Sequence, residues 1–249
     1  MDAQPLRNFA RDGYAIVRGL APGPVRSRML EVAREHLEGA VSPLEYEADV
    51  RYPGAPPSHD APGGRTVRRL LQAYARDPSF AAWATSPEIA RPLGEVLGSR
   101  VELSQVHHNC VMTKDPRYSS ITRWHRDIRY WAFERPELVS VWLALGRERE
   151  ANGCLLVLPG SHAIDFASHR LDEAQFLRTD VADNDALLAN EARVELDPGD
   201  VLFFHSRLFH AAGRNETTET KFSVVYTYHA AENRPLAGSR SASLPDIPV

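Results

Sequence analysis

The chain has 249 residues, of which 43% are hydrophobic and 25% charged, and its net charge is −4. This balance excludes a disordered or fibrous chain and suits a single domain spanning residues 1–249. With a pI near 6.2 there is no basic field to hold nucleic acid or acidic lipid, so neither is an expected partner.

The first residues are charged and carry no apolar leader, and no apolar run reaches the roughly 18 residues a membrane span needs. Two cysteines make neither a disulfide framework nor a thiolate metal site. The expectation is a soluble, cytoplasmic protein. Its 29 basic residues are 27 arginines and two lysines, Lys114 and Lys221. A GC-rich coding sequence accounts for the arginines and leaves each lysine needing its own reason.

In chain order, Asp12-Gly13-Tyr14 opens a short strand running to Leu20. Residues 24–37 have helical spacing with proline at the start. Residues 41–65 are rich in Pro, Gly and charge and read as a lid loop. Helical stretches are expected at 67–76 and 86–97. Strands are then expected at 100–112, 138–145, 154–158, 193–196, 201–205 and 222–228. Residues 163–190 read as a partly helical insertion, and 234–249 as a polar, mobile tail. Helices first and many short strands after them predict a mainly β fold, a sandwich or barrel packed on an N-terminal helical layer.

Two of the ten histidines stand in an H-x-acid triplet, His36-Leu37-Glu38 and His125-Arg126-Asp127. On a helix, positions i and i+2 diverge. On an extended segment they share a side. The first triplet closes a predicted helix, whereas the second lies between Trp124 and Tyr130-Trp131 in extended surroundings. His125 and Asp127 can therefore bind one ion together while Arg126 points away. A two-histidine, one-carboxylate face leaves three positions open on iron(II), the arrangement oxygenases use. The second histidine must come from a distant strand, and His205 and His210 are both candidates.

Trp124-His125-Arg126-Asp127, Trp142-Leu143-Ala144-Leu145, Asn152-Gly153-Cys154-Leu155, Pro159-Gly160-Ser161-His162 and Pro198-Gly199-Asp200 to His205 follow one another in the chain. In this order they resemble the phytanoyl-CoA dioxygenase-like family of Fe(II)/2-oxoglutarate oxygenases, from about residue 9 to 229. The resemblance implies a double-stranded β-helix (a cupin-like jelly roll) with iron at its mouth. It implies Fe(II), 2-oxoglutarate and O2 as cofactor and cosubstrates, and His125, Asp127 and His210 as metal ligands. His210 is favoured over His205 because a basic residue, Lys221, stands eleven positions beyond it. There the family binds 2-oxoglutarate, usually with arginine. Ser223, two positions on, would face the same side.

The resemblance also matches His108, Thr122, Ser140 and Trp131 to cosubstrate-contact or cavity-wall positions. It puts Lys114 near a family lysine, where a loop or rim role is expected. Arg126 and Arg129 are candidate contacts to an anionic substrate. The implied activity is hydroxylation of an unactivated C–H of a small molecule with release of succinate and CO2. Asp127, a carboxylate where related halogenases have a small residue, disfavours halogenation. Two other readings stay open: a cupin-like metal enzyme that does not use 2-oxoglutarate, and a non-catalytic small-molecule binding protein of the same fold.

Overall fold

A computed structural model describes Leu6 and residues 8–50 and 52–249. Residues 1–5 and 7 of the charged N-terminal stretch, and Arg51 of the expected lid, lie outside the described residues. The elements in chain order are α1 (Phe9–Asp12), β1 (Tyr14–Val17), α2 (Gly23–Glu38), β2 (Leu44–Tyr46), β3 (Val67–Leu71), α3 (Pro78–Ala84), α4 (Pro87–Leu97) and β4 (Val101–Lys114). There follow β5 (Thr122–His125), β6 (Leu138–Ala144), β7 (Leu155–Val157), α5 (Asp185–Leu188), β8 (Ala192–Val194), β9 (Val201–His205), β10 (His210–Ala212), β11 (Lys221–Ala230) and β12 (Ile247–Pro248). The large sheet runs β1-β9-β6-β11-β4-β3-β2, with β12 also on β4, and faces a smaller sheet, β5-β10-β7-β8. This is the expected jelly roll with helices on one side.

The period of two along β11 explains the layering. Phe222, Val224, Tyr226 and Tyr228 point outward and bury against Met29, Phe80, Trp83, Ile89 and Leu93 of the helices. The hydroxyls of Tyr226 and Tyr228 donate to the Phe80 and Ala84 carbonyls at 3.3 and 2.8 Å, which satisfies two polar groups buried with the rings. Val225 points inward and packs with Trp142, Leu155, Val157, Leu202 and Phe204 between the sheets. The same alternation turns Ser223 inward to the buried Glu148 carboxylate, so the strand's polar residues share its interior face with Val225.

One helical expectation fails. Residues 67–71 form β3 and not a helix, and only Ala73–Ala75 make a helical turn, of the 3-10 type. Val-Arg-Arg-Leu-Leu is too short for its period to decide. Pairing with β4 decides it, through Arg69 opposite Met112, Leu70 opposite Val111 and Leu71 opposite Cys110. Gln72, at φ +55, then breaks the chain direction. The tail is also ordered by contacts: the Leu236 amide bonds the Ala132 carbonyl, and β12 pairs with β4. The 163–190 segment has 3-10 turns at Ser168–Arg170 and Ala182–Asn184 and a single α-turn, α5. Its Leu171 and Leu177 bury against Trp124, Phe209 and Ala211, the outer face of the small sheet. Among the described residues no helix is long and apolar enough to cross a membrane.

Candidate metal centre and cosubstrate pocket

β5 and β10 are neighbours in the small sheet, and their register places His125 directly opposite His210. Asp127 opens a 3-10 turn just after β5, with Arg126 still extended (φ −116, ψ 136), so the H-x-D alternation holds as expected. The three side chains are buried and present ligand atoms within 4.8 Å of one another. Nε2 of His125 and of His210 lie 3.8 and 3.6 Å from Oδ1 of Asp127.

The histidine tautomers follow from their other nitrogens. Nδ1 of His125 donates to the Arg123 carbonyl (2.8 Å), and Nδ1 of His210 donates to the Leu208 carbonyl (3.1 Å). A carbonyl only accepts, so in the neutral ring each Nε2 turns a lone pair toward the Asp127 carboxylate. Burial, and then the neighbouring His210, lowers the pKa of His125 to about 3, so no proton fills the gap at neutral pH. Burial pushes the Asp127 carboxyl up, but His108, His210, His125 and the Ser140 hydroxyl outweigh it and hold the pKa below its ordinary value. Two imidazole nitrogens and a carboxylate converging in a buried site fit a divalent cation.

The other expected contacts gather around this centre. Ser140 donates to Oδ2 of Asp127 at 3.2 Å and fixes the carboxylate's orientation. His108 places Nε2 3.6 Å from Oδ1 of Asp127. Its Nδ1 is buried without a partner, and burial lowers its pKa to about 4. Trp131 stands edge-on to His108, with ring centroids 5.5 Å apart. Thr122 accepts from Arg68 at 3.3 Å.

From His125 and His210 a cavity leads to Lys114 and Lys221. These lysines sit opposite each other at the paired ends of β4 and β11. Lys221 does not stand free. Its Nζ donates to Oε2 of Glu148 (3.0 Å) and to the Gly153 carbonyl (2.9 Å). Ser223 and the Trp142 indole N–H donate to Oε1 of the same carboxylate, at 2.6 and 2.9 Å. Glu148 is fully buried. It was invisible in the sequence because it stands in the run Arg147-Glu148-Arg149-Glu150, which reads as a solvated charged face.

Lys114 is the other surprise, because it lies in the cavity wall and not on a rim. It is buried and donates to the Ser120 carbonyl (3.1 Å). Burial, then Lys221 and Arg68, lowers its pKa to about 7. Arg68 pairs with Glu47 and Arg69 with Glu45, at 3.4 Å each. With Lys221 matched to Glu148, Lys114 is, among the described cations that line the cavity, the one without a carboxylate partner. Gly153 keeps φ +70, the turn conformation expected of Asn152-Gly153. A Cβ there would lie 2.6 Å from Cε of Lys114, so the missing side chain makes room for the lysine.

Three candidates lie elsewhere. His205 packs against His162 and Phe9, with ring centroids at 5.4 and 6.3 Å, on the outer side of β9. Arg126 lies over Phe209 (5.1 Å), on the side of the strand opposite to His125 and Asp127. Arg129 lies over Phe176 (4.0 Å). Neither arginine lines the mouth cavity, which holds about 310 Å³ beside Asp127. Among the residues lining it are Tyr52, Arg69, His107, Tyr130, Trp131 and Arg240.

A family model described as phytanoyl-CoA dioxygenase (PhyH) matches residues 9–223. A probable phytanoyl-CoA dioxygenase of Caenorhabditis elegans is 24% identical over 236 residues, 92% of this chain and 75% of the relative. A probable alpha-ketoglutarate-dependent hypophosphite dioxygenase of Stutzerimonas stutzeri is 23% identical over 245 residues, 96% of this chain and 82% of the relative. Among solved structures, the non-heme alpha ketoglutarate dependent epimerase SnoN from nogalamycin biosynthesis superposes with a TM-score of 0.74 at 25% identity. The match covers 97% of this chain and 89% of that one.

Proposed function

Because the chain belongs to the phytanoyl-CoA dioxygenase family, we propose that it is an Fe(II)/2-oxoglutarate-dependent oxygenase hydroxylating a C–H bond of a small molecule. One observation carries the reading. A buried His125, Asp127 and His210 cluster lies at one end of a cavity, and a buried lysine, hydrogen-bonded only to a carbonyl among the described residues, lies at the other. Bound iron(II), with 2-oxoglutarate and O2, supplies the oxidising chemistry and leaves succinate and CO2.

The chain's own residues do the rest. His125, Asp127 and His210 hold the metal, and Ser140 keeps the carboxylate turned toward it. Lys114 meets the remote carboxylate of 2-oxoglutarate. Lys221 and Ser223 fix Glu148, so that the paired lysines together present one net positive charge to one carboxylate. Thr122 and His108 flank this path, and Trp131 walls the mouth. A mouth of about 310 Å³ is at the small end of ligand sites. The exposed Arg240 at its edge suits a compact substrate with an anionic group.

Lys114→Met tests the assignment. The dissociation constant of 2-oxoglutarate for the Mn(II)-loaded protein should rise about tenfold or more, since losing a charged hydrogen bond costs roughly 1.5–3 kcal/mol. The thermal midpoint should hold, because the variant removes a desolvated charge. The pH profile adds a sign. The pKa of Lys114 is lowered to about 7, so its charge is present below pH 7 and lost above it. Wild-type affinity should therefore be flat below pH 7 and fall by up to about tenfold per unit above it, and Lys114→Met should lose that slope. An unchanged constant in the variant would place the remote carboxylate elsewhere.

A further inference from the structure

We propose that Glu102, His229 and Asp246 form a second divalent-cation site, suited to Zn(II), and that the ion clasps the C-terminal segment onto the β4–β11 ladder. Register opposes His229 to Glu102 across that ladder, so both side chains leave the same face. Asp246 reaches them from the tail just before β12, whose Pro248 also pairs with Glu102. The three offer ligand atoms within 4.8 Å of one another.

The imidazole is the decisive observation. His229 has no solvent exposure, and its ring lies beside Phe133 with centroids 4.9 Å apart. Its Nδ1 donates to the Ala230 carbonyl (3.0 Å), which in the neutral ring leaves a lone pair on Nε2. Nε2 faces Oδ2 of Asp246 at 3.3 Å without a hydrogen bond, and Oδ1 of Asp246 is buried and unpartnered as well. A proton shared between the two groups would bring them into line at a shorter distance. Two ligands of a tetrahedral zinc ion, each about 2.0–2.1 Å from the metal, stand about 3.3–3.4 Å apart and off the ring-nitrogen axis. Imidazole and carboxylate oxygen both ligate such an ion, and three of them leave the fourth tetrahedral position to water. Arg234 holds Oε2 of Glu102 at 3.3 Å, which steadies that carboxylate against the sheet.

The clasp has something to hold. The tail crosses the mouth of the first site: Ser241 accepts from the Ala132 amide (2.9 Å), its hydroxyl meets His107 Nε2 (2.8 Å), and Arg240 lines the cavity. Fixing Asp246 fixes the segment that carries Arg240.

The test counts ions. The full chain, stripped with chelator and dialysed against Zn(II), should retain one ion fewer in Asp246→Asn than in wild type, whatever the first cluster holds. Asp127→Ala should still keep one, and Asp127→Ala/Asp246→Asn none. His229→Gln should behave as Asp246→Asn does. If its buried site does not tolerate glutamine, Asp246→Asn near the chain end carries the test alone. Zn(II) should also slow tryptic cleavage after Arg240 about tenfold in wild type and not in Asp246→Asn. Equal ion counts in wild type and Asp246→Asn, or an Asp127→Ala chain that binds none, would overturn the site. Zinc binding with no change in cleavage would overturn the clasp.

Discussion

In Asp127→Ala, iron(II) affinity should fall by more than about a hundredfold and cosubstrate turnover should vanish, while the metal-free protein stays folded. Asp127 supplies the only negative charge among the three converging ligand atoms. Removing groups that merely orient ligands typically costs about 10–100-fold in affinity, and removing a ligand costs more. What remains is two imidazoles held by the Arg123 and Leu208 carbonyls. Stability should fall only modestly, because the carboxylate's favourable contacts with its neighbours are lost together with its desolvation penalty. The Ser140 hydroxyl also loses its partner, at about 1 kcal/mol. Metal analysis after dialysis, beside a melting curve of the stripped protein, reads both effects. Undiminished iron in the variant would move the metal away from this cluster.

The second large effect falls on stability. Lys221→Met should lower stability by about 3–5 kcal/mol, because it leaves Glu148 fully buried with two donors and no countercharge. For a chain of this size each kcal/mol moves the midpoint about 2–4 °C, so a drop of roughly 6–20 °C is expected. Adding Glu148→Gln should recover most of it, since the amide keeps the shape and needs no ammonium. Lys114→Met carries no such penalty, so the two lysines separate: one loses fold, the other loses cosubstrate. If Lys221→Met melts like wild type, or if Glu148→Gln gives no rescue, Glu148 does not depend on Lys221.

The sequence and the structure agree where a local rule decides the outcome. His125 and Asp127 were legible because extended backbone puts i and i+2 on one side, and the structure keeps Arg126 extended between them. His210 was legible only through the eleven-residue spacing to Lys221. By local rules His205 was its equal, yet β9 turns it toward Phe9 and His162. The strands that could be read were long or apolar, such as β6 and β11. β3 was misread because its state is set by β4, forty residues away. Lys114 was misplaced, and Glu148 gave no signal, for a related reason. A charged residue is assigned to the surface unless its partner is known, and these partners lie far along the chain or across the sheet. The two lysines, singled out at first by their rarity, proved to face each other across one ladder.

Anaerobic titration of the iron(II)-loaded protein with 2-oxoglutarate tests the proposed cosubstrate most directly. A weak visible absorption band of an iron(II)–2-oxoacid chelate is expected, with a melting temperature that rises with 2-oxoglutarate concentration. Both should be lost in Asp127→Ala, and both should need about tenfold or more cosubstrate in Lys114→Met. No band, and a melting curve indifferent to 2-oxoglutarate, would contradict it.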